Sequence, residues 1–255
     1  LTVHARRVIL TVGLAALAGQ IGACGSSDTA QAGRAGTSSD APPITVTSAV
    51  GLHPEAPKPH ARRSTFSFRA QPLPARIRQR VSGRSWHHGC PVTLGQLRFI
   101  QMSHWGFDGK VHDGVMIVNA TAVGAARTAF GRLFARRFPI RRMRLVDDYR
   151  ADDFASIEAD NSSSFNCRRA TGSTRWSEHA YGRAIDINPI ENPYVYADGT
   201  TTHRASRPYL DRSRIRPGMA LAGRTLVNVF HAVGWGWGGR WAPATDLQHF
   251  SATGH

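Results

Sequence analysis

The chain has 255 residues, 41% of them hydrophobic and 19% charged. That apolar fraction excludes a wholly disordered chain, the lack of a sustained repeat excludes collagen and coiled coil, and the length accommodates one or two domains. Lys and Arg number 32 against 17 Asp and Glu, a formal charge of +15, and only Lys58 and Lys110 of the basic residues are lysine. Such a charge predicts anionic surroundings (lipid headgroups, wall polymers or nucleic acid), or no more than an arginine-rich coding habit, and composition does not choose among them.

The N-terminus speaks to compartment. Arg6 and Arg7 precede an apolar run of twelve residues, Val8 to Gly19. A bilayer span needs about 20 residues, so this run matches a signal-peptide core instead. Ile21-Gly22-Ala23-Cys24 follows and resembles a bacterial lipobox, whose cysteine is lipidated. The expectation is a signal peptide over residues 1–23 and an exported chain in the bacterial cell envelope, anchored in the membrane through Cys24 or, if the cysteine is incidental, secreted. Residues 24–75 are rich in Ser, Gly, Ala, Pro and Thr and read as a flexible tether. Seven arginines and no acid fall between Arg62 and Arg84, a run suited to anionic surfaces or to plain solvation of the tether. With Cys24 set aside, Cys90 and Cys167 remain, an even number that predicts a disulfide in an oxidising compartment, with two buried thiols as the alternative.

A folded domain is expected over residues 76–255. Leu94, Leu97 and Ile100 have helical spacing. Val115 to Val118 reads as a buried strand, and Val123, Arg127, Phe130, Leu133, Phe134 and Phe138 as one side of a helix stopped by Pro139. Met143 to Val146 reads as a strand. Arg183 to Ile187 alternates, with Ala184 and Asp186 on one face and Ile185 and Ile187 on the other. Leu221 to Val233 marks a last helix ended by Gly234. Helices and strands mix without a βαβ rhythm, which predicts an α+β fold with a mainly antiparallel sheet and flanking helices.

Chemistry concentrates in two places. In Ser177-Glu178-His179-Ala180-Tyr181-Gly182-Arg183-Ala184-Ile185-Asp186 an imidazole precedes a carboxylate by seven residues. Both are good zinc ligands, the spacing requires a loop, and Gly182 can supply the bend. Asp186 lies between apolar residues, where a carboxylate needs a partner such as a metal. Near the C-terminus, Asp246-Leu247-Gln248-His249 offers a third ligand, His249, and a second carboxylate, Asp246. Three protein ligands leave one zinc position open, and a carboxylate beside it can take a proton as water attacks a carbonyl. Ser177 can contact the metal site or a substrate, or merely close its own turn. Trp235, Trp237 and Trp241 stand in a Gly-rich stretch before Asp246, and Trp237 is the indole assigned to the wall of a substrate groove, with core packing as the alternative.

Ser-x-His-x-x-Gly-x-Ala-x-Asp resembles the signature of the zinc D-alanyl-D-alanine carboxypeptidases and related L-alanyl-D-glutamate endopeptidases. Ser177, His179, Gly182, Ala184 and Asp186 all match, and the likeness extends from about Cys90 through Phe250, including Phe165-Asn166-Cys167-Arg168 and Asn188-Pro189. The resemblance implies the hedgehog/DD-peptidase type of α+β fold and one Zn2+ held by His179, Asp186 and His249. It also implies that Asp246 is the general base, where many members carry the longer Glu. It implies an arginine near the substrate or the developing oxyanion, for which Arg168 is the best match and Arg169 the second. The implied substrates are peptidoglycan stem peptides. A zinc-containing wall-binding module without catalysis is the alternative on the same fold. Nucleic acid is not an expected partner, because an export signal and the lack of a recognition motif oppose it.

Overall fold

The computed structural model describes residues 65–255. The expected signal peptide, the lipidation site Cys24 and the tether up to residue 64 lie outside the described residues. The first described strand falls inside the stretch read as tether. Strand β1 (Phe68–Pro72) pairs along its length with β2, and helix α1 (Ala75–Val81) starts directly after Pro74. The position of β1 at the sheet edge tolerates the terminal Pro72.

Strand β2 (Leu97–Trp105) and strand β3 (Val111–Asn119) form an antiparallel hairpin completing the first sheet, in the order β1-β2-β3. The helix expected from Leu94, Leu97 and Ile100 is therefore a short 3-10 turn, Leu94–Gln96, running into β2. The reason is burial of β2 on both faces. Leu97 and Phe99 enter one apolar cluster with Ile77, Val81 and Leu145, while Ile100 and Met102 enter another with Phe130, Ile185 and Phe230. A strand covered on both sides loses its polar–apolar alternation, and its apolar residues then mimic a three-residue spacing.

Helix α2 (Val123–Ala135) covers the second cluster through Ala126, Ala129, Phe130 and Leu133. It ends one turn before Pro139. The expected strand at Met143–Val146 is instead an isolated bridge, Met143 to Ser162, followed by a 3-10 turn at Val146–Tyr149. The short helix α3 (Asp153–Glu158) is capped by Asp152, whose carboxylate accepts from Ala155 N–H.

The remaining elements are short and carry the chemistry. Strand β4 (Ala184–Asp186) pairs with β8 (His249–Ser251), which pairs on its other side with β6 (Gly236–Trp237). Strand β5 (Tyr194–Val195) pairs with β7 (Thr245–Asp246), and helix α4 (Thr225–His231) packs on α2. Every strand ladder is antiparallel, so the fold is α+β as expected. The motif Asn188-Pro189…Asn192-Pro193 is a scaffold. Asn188, at φ +47°, donates to Pro139 O at 2.9 Å and accepts from Arg141 N–H at 3.0 Å, and Asn192 accepts from Ala220 N–H at 2.6 Å.

Cys90 and Cys167 form a disulfide, Cα atoms 6.0 Å apart, across 77 residues of sequence. Constraining a loop of that length stabilises by roughly 4 kcal/mol through chain entropy. Reduction, or the double change Cys90→Ser and Cys167→Ser, is expected to lower the melting temperature by about 10 °C. Calorimetry with and without reductant checks this, and an unchanged melting temperature contradicts it.

Candidate metal centre

His179 sits in a 3-10 turn, Glu178–Tyr181. Ser177 caps the turn by accepting from His179 N–H at 3.3 Å, and Gly182 closes it in the left-handed region at φ +66°. Gly182 also meets the end of β3 closely. Its carbonyl accepts from Asn119 N–H at 2.8 Å, and a Cβ there would stand 2.7 Å from Asn119 N. Glycine at this motif position thus satisfies both a backbone angle and a close approach. The chain then enters β4, which ends on Asp186. Asp186 lies directly opposite His249 in the β4–β8 ladder, so their side chains share a face.

The three donor groups converge. His179 Nε2 is 3.1 Å from His249 Nδ1 and 3.1 Å from Asp186 Oδ2, and His249 Nδ1 is 3.3 Å from Asp186 Oδ1. All three residues are buried. Ligands about 2.0–2.1 Å from a tetrahedral zinc lie about 3.3 Å apart, so each pair of groups has the spacing of two ligands on one ion, Asp186 meeting the two imidazoles through different oxygens. Asp186 Oδ1 is buried and turned into the triangle, where it faces His249 Nδ1 at 3.3 Å, as a carboxylate oxygen reserved for a cation does. The second nitrogens are engaged from behind. His179 Nδ1 lies 2.6 Å from Ser164 O, and His249 Nε2 lies 3.3 Å from His255 O. Each carbonyl takes the outer N–H and directs the inner lone pair into the triangle. The donor set of two imidazoles and one carboxylate therefore fits a divalent metal ion.

When protons rather than a cation fill the triangle, the inner imidazole nitrogens carry them toward Asp186. Burial pushes the Asp186 carboxyl toward its neutral form, but the charges and hydrogen bonds of His179 and His249 outweigh burial and hold it well below the usual carboxylate range. Burial opposes charge on His249 too, yet the hydrogen bond and charge of Asp186 raise it above the ordinary imidazole value.

Asp246 stands on β7, opposite Tyr194 of β5. Its Oδ1 is buried without a hydrogen-bond partner. Burial, then the charge of Asp186, pushes its carboxyl up to about 6, against the opposing charges of His249, His179 and Arg168. Gly238 makes room for it, since a Cβ there would lie 2.6 Å from Asp246 O. Arg168 follows the disulfide cysteine Cys167 and is anchored by Asp153 Oδ2 at 3.0 Å, with its charge felt at Asp246. Arg169, the second choice, is taken up elsewhere. Its guanidinium lies over Trp176 at 3.7 Å and donates to Thr174 O at 2.6 Å.

Both substrate-contact candidates make the alternative contact that the sequence left open. Ser177 is buried and spends its hydroxyl on the His179 turn. Trp237 donates its indole N–H to Leu247 O at 2.9 Å and packs against the core, so it braces the strand leading to His249. The indole beside the metal face is Trp241, whose ring centroid lies 5.1 Å from that of His249. Tyr194 was not read as a site residue at all. Its pairing with Asp246 emerges only from β5–β7, two strands of two residues each, too short to leave a sequence pattern. Among the described residues a second donor cluster, His87, Cys90 and Cys167, has its two sulfurs bonded to each other, so it offers no thiolates.

An α+β domain that brings two imidazoles and a carboxylate onto one face, with a second carboxylate held protonatable near neutrality, has the constitution of a metal-dependent peptidase. Residues 171–252 match the family model described as D-alanyl-D-alanine carboxypeptidase, about a third of the chain, and that stretch holds His179, Asp186, Asp246 and His249. The match bears out the resemblance carried by the motif. No curated protein and no solved structure matches the chain.

Proposed function

We propose that this chain is a zinc peptidase hydrolysing peptide bonds in peptidoglycan stem peptides, of the D,D-carboxypeptidase or L,D-endopeptidase type. One observation carries the reading: two buried imidazole nitrogens and the buried Asp186 carboxylate, with each pair of groups approaching to 3.1–3.3 Å. His179, Asp186 and His249 would hold the zinc. A zinc ion there supplies Lewis acidity toward a water molecule and the scissile carbonyl.

The protein's own groups do the rest. Asp246, ionised, accepts the proton of the attacking water and passes it to the leaving amine. Arg168, fixed by Asp153, offers a guanidinium to the negative charge growing on the carbonyl oxygen. Trp241 packs beside His249, and Tyr194 stands opposite Asp246 in the β5–β7 pair. A wall-binding module would have no use for a buried carboxylate beside the donor triangle, so Asp246 favours catalysis over that alternative. The export signal and the lipobox-like Cys24 are consistent with work in the cell envelope, tethered to the membrane.

Mass spectrometry of purified muropeptides after digestion tests the substrate class. Loss of a terminal D-alanine identifies the carboxypeptidase, and a break between L-Ala and D-Glu the endopeptidase. Zinc-loaded protein inert on every stem-peptide bond overturns the proposal.

The pH profile follows from Asp246. It acts as base only when ionised, so activity is lost as pH falls through its pKa, which burial and Asp186 set at about 6. A bound cation adds positive charge and moves that value down. The acid limb of kcat/KM is therefore expected at or below pH 6, and a limb above pH 7 contradicts this assignment.

A further inference from the structure

Helices α2 and α4 meet through Ala129, Phe130 and Leu133 on one side and Leu226, Val229 and Phe230 on the other. Beside this contact lies an open cavity of about 290 Å³ that contains none of the metal-site residues. Arg132 and Arg136 reach it from the end of α2, and Arg224 from the residue before α4; Thr225 and Asn228 complete its polar lining, which includes no carboxylate.

Several arginines elsewhere in the fold have an acidic partner. Arg80 and Arg144 pair with Asp148, Arg141 with Asp160 and Glu191, Arg168 with Asp153, and Arg183 with Glu178. Among the described residues Arg132, Arg136 and Arg224 have no ion pair and no aromatic face. Arg136 donates only to Arg132 O, at 3.3 Å. Neither α2 nor α4 contains an acidic residue. Arg132 and Arg136 are one turn apart, a like-charge pair that destabilises a helix. Three arginines thus line one cavity, and among the described residues its lining holds no acidic side chain.

We infer that this cavity is a binding site for a phosphate-type oxyanion, separate from the metal centre and independent of the peptidase reading. Guanidinium groups match tetrahedral oxyanions through paired N–H donors, and the Thr225 hydroxyl and Asn228 amide add neutral donors at the rim. The volume admits two linked phosphate groups. The natural source is either a free phosphate compound or a phosphate-bearing polymer, and the two differ in reach beyond the cavity.

Calorimetric titration of the full chain with inorganic pyrophosphate, and separately with long-chain polyphosphate, tests the site. The triple variant Arg132→Gln, Arg136→Gln, Arg224→Gln is compared with Arg76→Gln, Arg207→Gln, Arg214→Gln, which removes the same charge from exposed positions elsewhere. The cavity variant is expected to lose at least about tenfold in affinity and the control less than about twofold. Binding of pyrophosphate marks a free anion as sufficient; cavity-dependent binding of polyphosphate alone marks a polymer. Equal losses in the two variants, or no binding of either probe to the parent protein, overturn the inference. Removing a like-charge pair leaves the cavity variant folded, with a melting temperature at or above the parent's.

Discussion

Replacing Asp186 with Ala is expected to abolish metal binding and to lower kcat/KM by about 10³-fold or more. Asp186 is the only anion among the three donors, and it lies within 3.3 Å of both imidazole nitrogens. Without it two neutral imidazoles remain, too few to hold a metal at a catalytic site, where three protein ligands are usual. His179→Ala removes the opposite corner and is expected to act alike. Metal analysis after gel filtration, alongside a stem-peptide assay, reads both effects. Asp186→Asn, of nearly the same shape, serves as the control for folding: it too loses the metal while its circular dichroism stays that of the parent. A variant that keeps stoichiometric metal shows that Asp186 is not a ligand.

The second large effect belongs to Asp246. Asp246→Asn is expected to keep the metal and lose turnover by about 10²–10⁴-fold, the usual contribution of a positioned base. The substitution preserves volume and removes the ability to take a proton. Because Asp246 is pushed up to about 6 by burial and by Asp186, it is a stronger base than an ordinary carboxylate and is still ionised at neutral pH. The expected split is in kcat, with KM little changed and the acid limb of the profile gone. Loss of metal in Asp246→Asn points instead to a fourth ligand, and unchanged kcat removes Asp246 from the chemistry.

The parts of the site that were legible in sequence are those whose chemistry is local. His179, Gly182 and Asp186 fall within eight residues, and a turn followed by a strand places them with no long-range information. His249 joins them because β8 pairs with β4 in a register that opposes it to Asp186. Alternation marked β4 for the same reason, since one side of it faces the site and the other the core. Helix α2 was legible because only one of its sides is buried. Strand β2 was not, because each of its faces meets a different apolar cluster. Trp237 and Trp241 differ in a property that spacing does not encode. Which indole points to the metal face depends on whose N–H meets Leu247 O and whose meets Gly254 O. Arg168 came from family likeness alone, and its anchor Asp153 lies on α3, far back in the chain.

In the function proposed, His179, Asp186 and His249 hold one zinc ion on which peptide hydrolysis depends. Stripping the protein with a chelator and titrating zinc back, while following cleavage of a stem peptide, tests it most directly. The account predicts that activity disappears on chelation and returns in proportion to added zinc, saturating at one equivalent per chain. Full activity in protein shown by elemental analysis to be free of metal would contradict it.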